Sequence, residues 1–137
     1  MPKVQAYKRI EAVCRVDDSD FYILNKWGNE MKKGSGLGGC IISNNILENK
    51  GSIKWCFREE PVNELDNGWR FLSDVDTDEF LSDSRNLSIC DYQKVIDLEP
   101  AVFAIYELPI GTDLTIIKEG GNTFFVTETG ELILPVN

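Results

Sequence analysis

Histidine is missing from all 137 residues of the chain. Its absence removes the commonest general base, the usual partner of a Ser or Cys nucleophile, and the commonest metal ligand. Most hydrolytic mechanisms go with it, and only carboxylate pairs or a lysine base remain as formal routes to catalysis. Long hydrophobic runs are missing too: the longest strictly apolar stretch, Ala101 to Tyr106, is far too short to cross a bilayer. Lys3, Lys8, Arg9, Glu11 and Arg15 interrupt any apolar segment near the start that would serve as a secretory leader. The expectation is a cytoplasmic protein without a membrane partner. The four cysteines, Cys14, Cys40, Cys56 and Cys90, show no C-x-x-C spacing and sit in apolar or strand-like segments, which reads as buried free thiols rather than a disulfide framework. No cofactor and no metal centre is expected.

What is present is the composition of an ordinary globular chain, 42% hydrophobic and 27% charged, at a length suited to one domain. The net charge of −9 is unevenly spread. Residues 59–99 hold twelve acidic and three basic side chains and so carry −9 alone, while residues 1–58 are +4 and residues 100–137 are −4. Such a block repels phosphate backbones, which argues against a nucleic-acid partner. Its natural complement is a basic protein, and the alternative is that it only keeps the chain soluble.

Along the chain, Val4, Tyr7, Ile10 and Cys14 have helical spacing within residues 3–16, although Ile10, Ala12, Cys14 and Val16 also alternate as a strand would; a helix is the expectation there, and Phe21, Leu24, Trp27 and Met31 suggest a second short helix. Gly34, Gly36, Gly38 and Gly39 read as a mobile linker; they run into the apolar Cys40-Ile41-Ile42 rather than opening a helix, so they do not form a phosphate-binding loop. Ser52 to Arg58 alternates as a strand, with Ile53, Trp55 and Phe57 on one face, and Trp69 to Ser73 repeats the pattern. Asn67-Gly68 has the composition of a tight turn, and Glu59 to Asp66 is expected to be a wide acidic loop. Asp91 is a candidate cap for a helix through Asp97, and a second short apolar segment runs from Pro100 to Pro109. Residues 113–118, 123–128 and 131–134 form a three-stranded meander. The expected class is α+β: one domain, a largely antiparallel twisted sheet, and a few short helices on one face.

The aspartates of Ser73-Asp74-Val75-Asp76-Thr77-Asp78-Glu79 alternate like the opening of a calcium loop. A loop starting at Asp74 needs Gly at its sixth position and Glu at its twelfth, where Glu79 and Arg85 stand. A looser metal- or small-molecule-binding regulatory domain remains the alternative function. Paired carboxylates at Glu59-Glu60 and Glu64-Asp66 would do acid–base work only if burial separated their pKa values. Arg58 and Arg70, expected on one sheet face, are read as anchoring them in structural ion pairs.

Arg58-Glu59-Glu60-Pro61 and Gly68-Trp69-Arg70-Phe71-Leu72-Ser73, followed by the acidic run to Glu79-Phe80, carry a resemblance to a known family. With Asn86-Leu87-Ser88-Ile89, Asp91 and Pro109-Ile110-Gly111, roughly residues 40 to 118 resemble the immunity-protein-33-like family, a bacterial domain of unknown function. Members tend to have Gly after the serine and an almost unbroken acidic run, where this chain has Asp74, Val75 and Thr77. The resemblance implies a non-catalytic protein of a bacterial polymorphic toxin system that binds and neutralises a toxin domain in the producing cell. It supplies no ligand or catalytic residue. Residues 1–36 are then a helical extension and Gly-rich linker, and residues 37–137 the immunity-like domain. The expected partner surface comprises Glu59, Glu60, Glu64, Asp66, Asp74, Asp76, Asp78, Glu79 and Asp83, facing a basic toxin.

Overall fold

The computed structural model describes residues 23–24, 30–32 and 36–136. The helix expected over residues 3–16 and Cys14 lie outside the described residues. Where a helix was expected along Phe21 to Met31, the described residues are instead extended. Ile23–Leu24 (β1) pairs antiparallel with Glu30–Lys32 (β2). The sequence between them contains Gly28-Asn29, a turn-type pair, and four apolar residues over so short a stretch suit either period.

Seven strands form the main sheet: Gly39–Ser43 (β3), Ile53–Arg58 (β4), Asp66–Ser73 (β5), Leu87–Asp91 (β6), Asp113–Glu119 (β7), Asn122–Thr127 (β8) and Leu132–Val136 (β9). Their order is β6-β3-β5-β4-β7-β8-β9. β3 runs parallel to β5, and every other neighbouring pair is antiparallel. With the short helices Asn44–Leu47 (α1), Asp78–Leu81 (α2) and Tyr92–Leu98 (α3), this is a single α+β domain built on a mixed, mostly antiparallel sheet. Each helix begins on a side chain that occupies an otherwise unpaired backbone donor. Ser43 accepts from Asn45 N–H, Thr77 from Phe80 N–H, and Asp91 from Gln93 N–H, the last at the cap the sequence indicated.

One face of the sheet carries Cys40, Ile42, Cys56, Trp69, Phe71, Leu114, Ile116 and Phe125, packed against Ile46 of α1, Tyr92 and Val95 of α3, and the 3-10 helix Pro100–Ile105. Trp69 stacks on Phe71 at 6.2 Å, Tyr92 meets Phe71 at 5.7 Å, and Tyr106 closes on Tyr92 edge-on at 4.9 Å. The polar ends are satisfied: Trp69 Nε1 donates to Tyr106 O, Tyr92 Oη to Val102 O, and Tyr106 Oη to Leu37 O. That last bond, with Gly39 N donating to Leu65 O at 2.7 Å and Tyr92 N to Gly38 O at 3.0 Å, ties the end of the glycine stretch to the sheet. Cys40, Cys56 and Cys90 are buried free thiols, as expected. The opposite face holds a smaller cluster, Ile41, Phe57, Leu72 and Leu87 with Leu81 of α2, and Trp55 and Phe80 pack against it.

Three local expectations are corrected. A β-bulge between Ile53 and Trp55 puts Ile53 in the first core, while Trp55 and Phe57 join the second, so the three do not share a face. Asn67-Gly68 is not a hairpin turn but an irregularity inside β5, where two extra residues stand against β3. Gly68 has φ +92°, and a Cβ there would lie 2.3 Å from Glu59 O, so only glycine fits. Third, cross-strand register places Arg58 opposite Trp69 and Arg70 opposite Phe57, which sends the two arginines to opposite faces.

Candidate functional site

The acidic segment divides into two groups separated by β5. Glu59, Glu60, Glu64 and Asp66 belong to the loop before that strand or to its first residue, and Asp74, Asp76, Asp78, Glu79 and Asp83 follow it. At about 3.3 Å per residue, the strand holds the groups roughly 20 Å apart.

The first group is organised by Arg70. Strand alternation between Trp69 and Phe71, both fully buried in the helix-covered core, directs its guanidinium to the second face, where it too is fully buried. A buried cation is costly to desolvate unless charge and hydrogen bonds surround it. Asp66 takes Nη1 and Nη2 in a two-pronged contact, each at 2.8 Å, and Glu59 takes Nε at 2.6 Å. Asp66 also accepts from Val62 N–H and Gly68 N–H, so it shapes the loop as well. Burial alone would raise the Asp66 pKa, but its hydrogen bonds to Arg70, the Arg70 charge and the two backbone donors outweigh that and hold it below the usual carboxylate range. Acid–base catalysis needs a carboxyl poised nearer neutrality, so this pair acts as an anchor. Arg58 does not join it. Its guanidinium lies 6.0 Å from the Trp69 ring and donates to Asn67 O and Leu108 O.

In the second group, Asp76 was expected to be exposed and is buried. Its carboxylate accepts from Ser73 N–H (2.7 Å), Ser73 Oγ (2.6 Å), Ser43 Oγ (2.8 Å) and Asn45 Nδ2 (2.8 Å), which pins the turn after β5 to the start of α1. Asp74, although exposed, accepts from Ser52 N–H. These protein donors occupy oxygens that a calcium loop would offer to the ion. Among the described residues no group of three or more His, Cys, Asp or Glu side chains is placed to hold a metal ion. Asp83 caps the 3-10 helix Ser84–Asn86, and its hydrogen bonds from Arg85 hold its carboxyl down at about 2.

Glu60, Glu64, Asp74, Asp78 and Glu79 are the exposed members of the predicted set, while Glu59, Asp66 and Asp83 are partly covered. Asp78 and Glu79 occupy the first turn of α2, where the helix's free N–H groups favour negative charge. Adjacent apolar residues in a strand point to opposite faces, so the doublets Ile116-Ile117 and Phe124-Phe125 put apolar side chains on both faces of the sheet.

The described acidic side chains are divided between internal anchors, Asp66 and Asp76, and surface positions such as Glu60, Glu64, Asp78 and Glu79. The chain belongs to the family described as the Immunity protein Imm33 domain, which matches residues 40–127, from β3 to the end of β8 and well over half of the chain. No curated protein matches it, and neither does any solved structure. Membership carries the general role of an immunity protein of polymorphic toxin systems, which is not catalytic and acts on a protein partner. No helix among the described residues is long and apolar enough to cross a membrane.

Proposed function

We propose that the chain binds and neutralises a cognate bacterial toxin in the cytoplasm of the producing cell, with an acidic surface meeting a basic site on the toxin. Membership of the immunity family is the observation that carries this reading. In it, residues 37–137 are the binding unit and residues 1–36 an extension. Exposed Glu60, Glu64, Asp74, Asp78 and Glu79, with Asp83 beside them, steer the encounter, because complementary charge raises association rates and disfavours wrong partners. Glu59, Asp66 and Asp76 contribute to the local field while holding the loops that present the others. The test co-expresses the chain with the toxin domain encoded beside it and measures their association directly. Rescue of growth together with a stable complex supports the reading, and a neighbouring toxin that kills unhindered and does not bind overturns it. Replacing Glu60, Asp78 and Glu79 by lysine should slow association at low salt, with a smaller loss at high salt. Equal rates for this variant and one carrying Glu107→Lys, Glu128→Lys and Glu131→Lys would reduce the acidic segment to a solubility feature.

A further inference from the structure

Cys40 and Cys90 face each other across β3 and β6. They are register partners on antiparallel strands, and both side chains turn into the helix-covered core. Their Sγ atoms lie 4.0 Å apart, and the Cys40 thiol also approaches Cys90 O at 3.5 Å. Two residues along, Tyr92 N–H donates to Gly38 O, so the Cys40–Cys90 rung is of the hydrogen-bonded kind, with Cα atoms about 5.5 Å apart. A disulfide spans Cα separations of about 4.4–6.8 Å. The backbones therefore already stand at a suitable distance, and rotation of the two side chains brings sulfur to sulfur.

Cys56 is the internal contrast. It is buried in the same core, but register carries it to Phe71 and Phe71 to Ile42, which sets it level with Ile42 and two strands from β3. At about 4.8 Å per strand that is roughly 10 Å, too far for a disulfide.

The facing pair is withdrawn from water, Cys40 at 1% and Cys90 at 0% exposure. Burial first, and then the Cys90 thiol beside it, push the Cys40 thiol well above its usual range, so its reactive thiolate is scarce while the strands are closed. Among the described residues β6 pairs with β3 alone and ends the strand order. A strand held on one side opens at less cost than a central one, and such an opening admits a small oxidant.

We propose that Cys40 and Cys90 are a modification site for a hydroperoxide, which converts the facing thiols into a disulfide that fastens β6 to β3. One thiolate sulfur attacks the peroxide, the O–O bond breaks, and that sulfur becomes a sulfenic acid as hydroxide departs. The second sulfur then displaces the sulfenic oxygen, the S–S bond forms, and the thiol protons end on the released oxygens as water. With hydrogen peroxide the sum is two thiols and one peroxide giving one disulfide and two waters, the sulfurs losing the two electrons that the peroxide gains. This chemistry does not depend on the immunity reading.

The experiment treats the folded full-length chain with hydrogen peroxide, caps the remaining thiols with iodoacetamide in denaturant, and maps the peptides by mass spectrometry. The expected product joins the Cys40 and Cys90 peptides, leaves Cys56 capped, and reverts with dithiothreitol. Urea below the unfolding transition should speed its formation, since the reaction runs through opening of the strand. The oxidised chain should melt at least about 5 °C higher, because the bond closes a long loop in the unfolded chain. Cys90→Ala should abolish the product and Cys56→Ala should preserve it, with circular dichroism showing that each variant is folded; should either variant unfold, the wild-type peptide map decides by itself. Folded wild type that keeps both thiols free, that is oxidised at either sulfur without joining them, or that joins Cys14 to one of them overturns the proposal. A Cys40–Cys90 disulfide that leaves the melting temperature unchanged or lowers it removes the fastening of β6.

Discussion

The two faces of the main sheet are made by the same strands and end differently. One is sealed by α1, α3 and the 3-10 helix Pro100–Ile105 over Trp69, Phe71, Ile116 and Phe125. Among the described residues the other is covered by α2, and Ile117 and Leu132 are in contact with water. The first face therefore accounts for most of the stability that apolar burial provides. The second holds the buried Arg70 guanidinium and leaves Ile117 and Leu132 partly exposed. In this protein the helix-covered face contributes the larger share of the buried apolar core.

The largest expected effects lie in the sealed face and at the buried cation. Trp69→Ala should cost about 3–5 kcal/mol, since it empties a large volume beside Phe71 and removes the Nε1 bond to Tyr106 O. Arg70→Met should cost a similar 3–5 kcal/mol, because Asp66 and Glu59 would lose the cation that offsets their own desolvation. Urea unfolding measures both, and a Trp69→Ala loss no greater than that of Ile117→Ala would erase the contrast between the faces.

Next comes Asp76→Ala, which leaves Ser73 N–H, Ser43 Oγ and Asn45 Nδ2 without their shared acceptor. A loss of about 1–3 kcal/mol is expected in the same measurement. Acid should act through Asp66. Its pKa is lower folded than unfolded, so its contribution is complete above the unfolded value of about 3.9 and disappears as pH falls through the folded value. Melting temperature should hold from neutrality down to about pH 5 and drop below about pH 4, and Asp66→Asn should flatten that drop.

The smallest effects belong to the open surface. Ile117→Ala, Asp78→Lys and Glu79→Lys should each move stability by about 0.5 kcal/mol or less. Any larger change on thermal melting would mean that these positions support the fold.

Much of this architecture was legible along the chain. Strands β4, β5, β7, β8 and β9, the Asp91 cap, the buried thiols and the α+β class all follow from local alternation, turn residues and capping chemistry, which depend on near neighbours. Family membership was likewise legible in Gly68-Trp69-Arg70-Phe71 and the acids that follow. Only the tertiary structure decided the parallel pairing of β3 with β5, the bulge that turns Ile53 away from Trp55, and the separation of Arg58 from Arg70. It also decided which aspartates are anchors and which are surface. Asp76 and Asp78 look alike in a row of alternating acids, yet one is enclosed by Ser43, Asn45 and Ser73 and the other opens a helix in water. Burial of a carboxylate depends on donors brought from distant parts of the chain, and sequence spacing carries no record of which donors will arrive.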